Sequence, residues 1–194
     1  ALDLYKRGIT DLQDVLASTK LNALQKRYID YALNDRPEHI DKEGIKSFLN
    51  ELSYPLYFLD FESMQLALPE YPNSKPYAQI LFQYSLHYIE TEGGELKHKE
   101  FLGISGKDPR RALAEQLVKD IPTDGSVIVF NETFEKTRIK ELAELFPDLA
   151  PQLLRIRENI KDLLKPFRKG YYYNKAIGNS FSIKSILPAM FPDD

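Results

Sequence analysis

The stretch "QILFQYSLHY", residues 79–88, constrains this chain most, because its polarity alternates with a period of two that no helix can keep on one face. Ile80, Phe82, Tyr84, Leu86 and Tyr88 face one way and Gln83, Ser85 and His87 the other, which predicts a half-buried strand. A Gly93-Gly94 turn leads on into "ELKHKEFLG", so residues 79–102 are expected to form a β-hairpin.

The run before it, "YPLYFLDFES" (54–63), reads as another buried strand over residues 54–61, yet it carries Asp60 and Glu62. Alternation puts both acids on one face, with Leu56 and Phe58 further back. In open α/β sheets ligands bind outside the carboxyl ends of strands, where this pair emerges. Two carboxylates so close repel one another and raise one pKa unless a cation lies between them, and Mg²⁺ or Mn²⁺ suits such oxygen ligands. An isolated Asp-x-Glu also describes a plain solvent-exposed strand end. A second acid-bearing strand end sharpens the choice: "SVIVFNETFE" (126–135) is a short buried strand, then Asn131, then Glu135 one helical turn further on. Asn131 suits a helix N-cap, and Glu132 suits the first turn through the helix dipole.

Around these strands the pattern is helical. Residues 1–53 hold three amphipathic segments, beginning with "TDLQDVLAS", where Thr10 is expected to cap and Gln13 lies three residues on. "DPRRALAEQLVKDI" predicts a helix with Asp108 at its cap and Pro109 at its first position, and "ETFEKTRIKELAELF" predicts another. "APQLLRIRENIKDLL" predicts a helix that runs into a short strand near 159–162, and the tail predicts a last helix that Pro188 ends. Three strands in a meander, followed by a helix and a strand returning parallel to the first, give an α/β fold with a mixed sheet and an N-terminal helical extension.

Composition removes several function classes. The chain has no cysteine, which excludes disulfides, thiolate zinc and cysteine nucleophiles. His39, His87 and His98 form no local pair at ligand spacing, so a metal would rest on carboxylates. A net charge of -3 gives no whole-protein attraction for nucleic acid and leaves that role to local patches. No apolar run is long enough for a membrane span and no signal-peptide core opens the chain, so a cytoplasmic location without membrane contact is expected.

"YFLDFES" resembles the first motif of DEDD-type 3′–5′ exonucleases of the ribonuclease H-like superfamily, an Asp-x-Glu ending the first strand. "VFNETFEKTRIKEL" is similar to their second motif, Asn131 with an acid four residues later, although Glu135 stands where the family has Asp. "NIKDLL" resembles the fifth strand, ending in Asp162 beside the site. "SFSIKSILPAMFP" is similar to the helix before the last motif. These phrases, with "FQYSLH", also resemble an uncharacterised bacterial domain family assigned to this superfamily and often found after a restriction-endonuclease-like nuclease domain.

The resemblance covers residues 54–194 and implies a ribonuclease H-like fold with a five-stranded mixed sheet. It implies two-metal phosphodiester hydrolysis with Mg²⁺ or Mn²⁺. Asp60 would bridge both ions, Glu62 would hold the ion that activates water, Glu135 would support the other, and Asp162 would stand by as a further metal-side acid. The fourth carboxylate, in a Tyr- or His-led motif, is expected beyond Asp194, so the exonuclease domain reads as ending before its last motif. The partner implied is DNA or RNA, as a single-stranded end, with an upstream nuclease domain in the same protein. Asn131, Phe61, Lys184, Arg168 and Tyr172 are the expected substrate contacts, the last two from the basic, aromatic stretch "KPFRKGYYYNK", which equally suits a loop whose tyrosines pack locally. Glu135 in place of Asp and the absent fourth acid also suit a catalytically impaired nucleic-acid-binding module. The helical preface suits a scaffold role within a larger nuclease.

Overall fold

The computed structural model describes residues 2–178 and 180–192. In chain order its elements are α1 (Leu2–Lys6), α2 (Leu12–Ser18), α3 (Ala23–Leu33), β1 (Glu38–Ile40), α4 (Lys42–Leu49) and β2 (Leu56–Gln65). Next come β3 (Gln79–Ile89), β4 (Lys97–Leu102), α5 (Arg110–Asp120), β5 (Ser126–Val129) and α6 (Thr133–Leu145). The chain closes with α7 (Ala150–Glu158), β6 (Ile160–Asp162), α8 (Lys165–Arg168), β7 (Tyr172–Asn174), a 3₁₀ turn (Lys175–Ile177) and α9 (Ile183–Met190).

These form two compact units, Ala1–Phe48 with Leu164–Asp194, and Leu49–Leu163. The described residues from Leu164 onward group with the N-terminal helices. The cause is a ribbon between distant segments, in which β1 pairs antiparallel with β7, His39 opposite Tyr173. Around it Tyr173 stacks on Tyr28 at 5.2 Å and meets Tyr31 at 5.3 Å. The aromatic stretch is thereby drawn into local packing. Asp11, not Thr10, caps α2, accepting from the Gln13 N–H at 2.8 Å. Asn22 and Gln25 make a full capping box on α3. Pro188 lies inside α9 instead of ending it. The carbonyl it leaves without a helical donor belongs to exposed Lys184, where water can serve it.

The second unit is a mixed α/β structure whose five-stranded sheet runs β4-β3-β2-β5-β6. The β2, β3 and β4 strands are antiparallel neighbours, while β2–β5 and β5–β6 pair in parallel, as the strand order predicts. One sheet face carries Tyr57, Leu59, Phe61, Leu81, Tyr84, Leu86, Val127 and Val129 into a core shared with Leu113 and Leu117 of α5, Ile139 and Leu142 of α6, and Leu153 and Ile156 of α7. Alternation puts Phe58, Asp60 and Glu62, with Gln83, Ser85 and His87, on the opposite face. The link into β5 is tight: a Cβ on Gly125 would collide with the Pro55 carbonyl. Helix α5 begins after Pro109, and Asp108 accepts from the Arg110 N–H at 3.1 Å. Among the described residues no helix is long and apolar enough to cross a membrane.

One polar cluster lies within this core. Buried Asp120 accepts from the Tyr84 hydroxyl at 2.6 Å and from Gln116 Nε2 at 3.0 Å, and it pairs with Lys99 Nζ at 3.2 Å. A buried carboxylate is stable only while such partners satisfy it. Tyr84→Phe removes one charge-assisted bond and should lower stability by about 1–3 kcal/mol, read as a lower denaturation midpoint at unchanged slope.

Candidate functional site

Parallel pairing sets Phe58 of β2 beside Ile128 of β5, so the two strands reach their carboxyl ends side by side. Asp60 and Glu62 are both exposed on the face away from the core, opposite Ser85 and Gln83 of β3. Immediately after Glu62 the register slips in a bulge at Glu62/Ser63, a feature that turns the strand locally.

Beyond β5 the chain must leave the sheet and enter α6 within a few residues. Asn131 makes that turn in the left-handed region, at φ 74°, which Asn tolerates better than most side chains. Its N–H donates to Asp162 Oδ1 at 2.8 Å. Asp162 is 1% exposed at the end of β6, so it is placed as the anchor of this turn. Asn131 is therefore not the helix cap: Glu132 holds that position without a capping bond and pairs with Lys136 Nζ at 2.7 Å.

The turn delivers Glu135 into the first turn of α6, where it is 4% exposed and its Oε2 has no hydrogen-bond partner. Burial pushes its carboxyl up to about 7, and the charges of Asp60 and Asp162 push the same way against one bond from its own backbone N–H. Asp60, Glu135 and Asp162 therefore form one electrostatic group, with Glu62 on the same strand face as Asp60. Among the described residues no three His, Cys, Asp or Glu side chains are grouped so as to hold a metal ion as they stand. The donor chemistry still suits a hard cation: the atoms are carboxylate oxygens, one of them buried without a partner, in mutual repulsion.

The expected substrate contacts fare differently. Phe61 is corrected to a core residue, 4% exposed and edge-on to Tyr84 at 6.3 Å, because the alternation that presents residues 60 and 62 turns 61 inward. Asn131 is exposed beside the acids. Lys184, Arg168 and Tyr172 belong to the other unit. There Lys184 and Arg168 are exposed, while Tyr172 is half-buried, edge-on to Phe167, and donates its hydroxyl to Glu38 at 3.0 Å. The tie between Asp162 and Asn131 joins positions 31 residues apart, and an Asn directly after a buried strand is its one signal in the sequence.

Folding takes up a proton at Glu135 between its ordinary value of 4.5 and about 7. The stability linked to its neutral form is full below 4.5 and is lost as pH rises through about 7. Melting curves in chelator should show wild-type stability falling across that window. Glu135→Gln should flatten this slope and be the more stable form at pH 8, by on the order of 2 kcal/mol. An unchanged slope in the variant would refute the burial of Glu135 as its cause.

Residues 57–182 match a family described as a domain of unknown function, DUF2779. The chain is 28% identical over 153 residues to the uncharacterized protein MG366 of Mycoplasma genitalium, covering 73% of this chain and 23% of that protein. It is 28% identical over 165 residues to the MG366 homolog of Mycoplasma pneumoniae, covering 76% and 25%. It is 25% identical over 201 residues to the uncharacterized protein UU173 of Ureaplasma parvum, covering 96% and 28%. The chain thus spans about a quarter of the length of the curated relatives it matches. No solved structure matches it. With the family match extending from β2 to the start of α9, the chain belongs to the DUF2779 family.

Proposed function

We propose that this chain carries a divalent-metal-dependent nuclease site on a ribonuclease H-like sheet, acting as a 3′–5′ exonuclease on a DNA or RNA end. The observation that carries this reading is buried Glu135, with an orphaned oxygen, coupled to Asp60 across two adjacent strand ends. Such a group lacks positive charge, and a bound divalent cation supplies it. Asp60, Glu62 and Glu135 are the residues that would hold Mg²⁺ or Mn²⁺, which polarises phosphate oxygens and activates water. Asp162 acts through the backbone: its bond to the Asn131 N–H holds the turn that seats Glu135. The apolar strands beneath hold Asp60 at a rigid strand end, as accurate positioning requires.

A second reading is a nucleic-acid-binding module without full metal competence. It is favoured by the absence, among the described residues, of three acids already grouped for an ion.

The two readings separate on one pair of measurements. In the protein, Asp60→Asn should lower Mn²⁺-dependent release of nucleotides from single-stranded DNA or RNA oligonucleotides by about a hundredfold or more, with an unchanged circular dichroism spectrum. Mn²⁺ at a hundred times its Kd should also stabilise the wild type at pH 8 by about 3 kcal/mol, and Glu135→Gln should lose most of that gain. Wild-type protein that binds oligonucleotide yet shows neither hydrolysis nor stabilisation by Mn²⁺ supports the binding module.

A further inference from the structure

The two elements that carry Glu62 and Glu135 also contribute to an open cleft of about 770 Å³. Gln65, three residues past Glu62 on β2, and Arg138, three past Glu135 on α6, both line it. The loop 66–78 and the start of β3 complete the wall with Lys75, Tyr77 and Gln79, and Arg110 of α5 lies at its edge. The volume is in the range of small-molecule sites, roughly 300–1,000 Å³.

The two guanidinium groups have different duties. Arg110 is committed: it grips Asp108 through Nε at 2.9 Å and Nη2 at 2.6 Å, and Nη2 also donates to the Pro72 carbonyl at 2.7 Å. That bond ties the 66–78 loop to α5. Arg138 is only 11% exposed but poorly matched. Nη2 meets Glu141, itself 51% exposed, at 2.8 Å. Nη1 has the Gln79 carbonyl at 3.4 Å, the outer limit of a hydrogen bond, and Nε is buried without a partner. A guanidinium with donors to spare matches a phosphate.

Tyr77 adds the second element. It holds φ 58°, a left-handed conformation that is an outlier for so bulky a residue. Its N–H donates to the Leu66 carbonyl at 2.8 Å and its own carbonyl accepts from Gln65 Nε2 at 3.1 Å. This bracing leaves the residue 66% exposed beside the cleft.

We propose that this cleft is a nucleotide-binding site. The phosphate takes Arg138 from Glu141, Lys75 adds a second charge, and a base stacks on Tyr77 with the amides of Gln65 and Gln79 at hand. Glu144, also on the wall, is occupied by Lys140 at 3.4 Å.

Calorimetry in chelator with adenosine 5′-monophosphate, and adenosine as control, tests this directly on the 194-residue chain. The monophosphate should saturate the protein and bind about tenfold more tightly than adenosine; Arg138→Gln should lose about that factor. Glu141→Gln should tighten binding severalfold, which a merely structural Arg138 would not cause. Equal affinity for the two probes, no saturation by the monophosphate, or unchanged affinity in Arg138→Gln overturns the proposal. Should Arg138→Gln fail to fold, Lys75→Glu on the exposed loop decides, and unchanged affinity there overturns it equally. Hydrolysis at Asp60 is a separate readout, so either site can fail without the other.

Discussion

The parallel pairing of β2 with β5 is the constraint on which the sheet unit depends. All four residues of β5 are buried, so this strand can exist only with β2 on one side and β6 on the other. Once so placed, its carboxyl end must turn out of the sheet beside that of β2, and the chain has only Phe130 to Glu132 in which to reach α6. The acids are brought together as a consequence of burying valine and isoleucine. The chemistry of the site thus rides on a packing requirement that makes no reference to it.

Burial then decides the character of each acid. Asp60 and Glu62 face solvent and lose little hydration. Asp162 is wholly buried but is matched by a backbone N–H, the arrangement that makes a buried carboxylate tolerable. Glu135 is buried with one oxygen unpartnered, and that burial pushes its carboxyl up to about 7. Position on the first turn of α6 favours its anion through the helix dipole, yet desolvation is the larger effect. A side chain kept in such a place works against the stability of its own fold, and unsatisfied groups of this kind concentrate where a ligand completes them.

Much of this was legible in the residues because it is local. Alternation over 79–88 and the acid-bearing end of 54–63 gave the β2–β3 pair and the face of Asp60 and Glu62. The same alternation turns Phe61 into the core, against its expected role as a substrate contact. The illegible parts depend on distant partners. The three-residue strands β1 and β7 have no periodicity to detect, and they exist because Glu38 meets Asn174 across the length of the chain. Their pairing joins the described residues after Leu164 to the first unit, and no composition shift at Leu164 announces it. The burial of Glu135 likewise follows from how α6 seats on the sheet through Ile139 and Leu142, not from the residue's own neighbours.

The α6 helix carries both an acid of the candidate site and a guanidinium of the cleft. Its residues 135 and 138 are one turn apart, so the acid and the guanidinium are neighbours on the helix. They do not neutralise one another, since Arg138 reaches on to Glu141 and Gln79 while Glu135 remains coupled to Asp60 and Asp162. Had they paired, the carboxyl would have been pulled down and the donors of Arg138 consumed. Keeping the two groups apart leaves Glu135 without a cationic partner and Arg138 with donors unused. That polarity is what the two proposals draw on, a metal cation for the acids and a phosphate for the guanidinium.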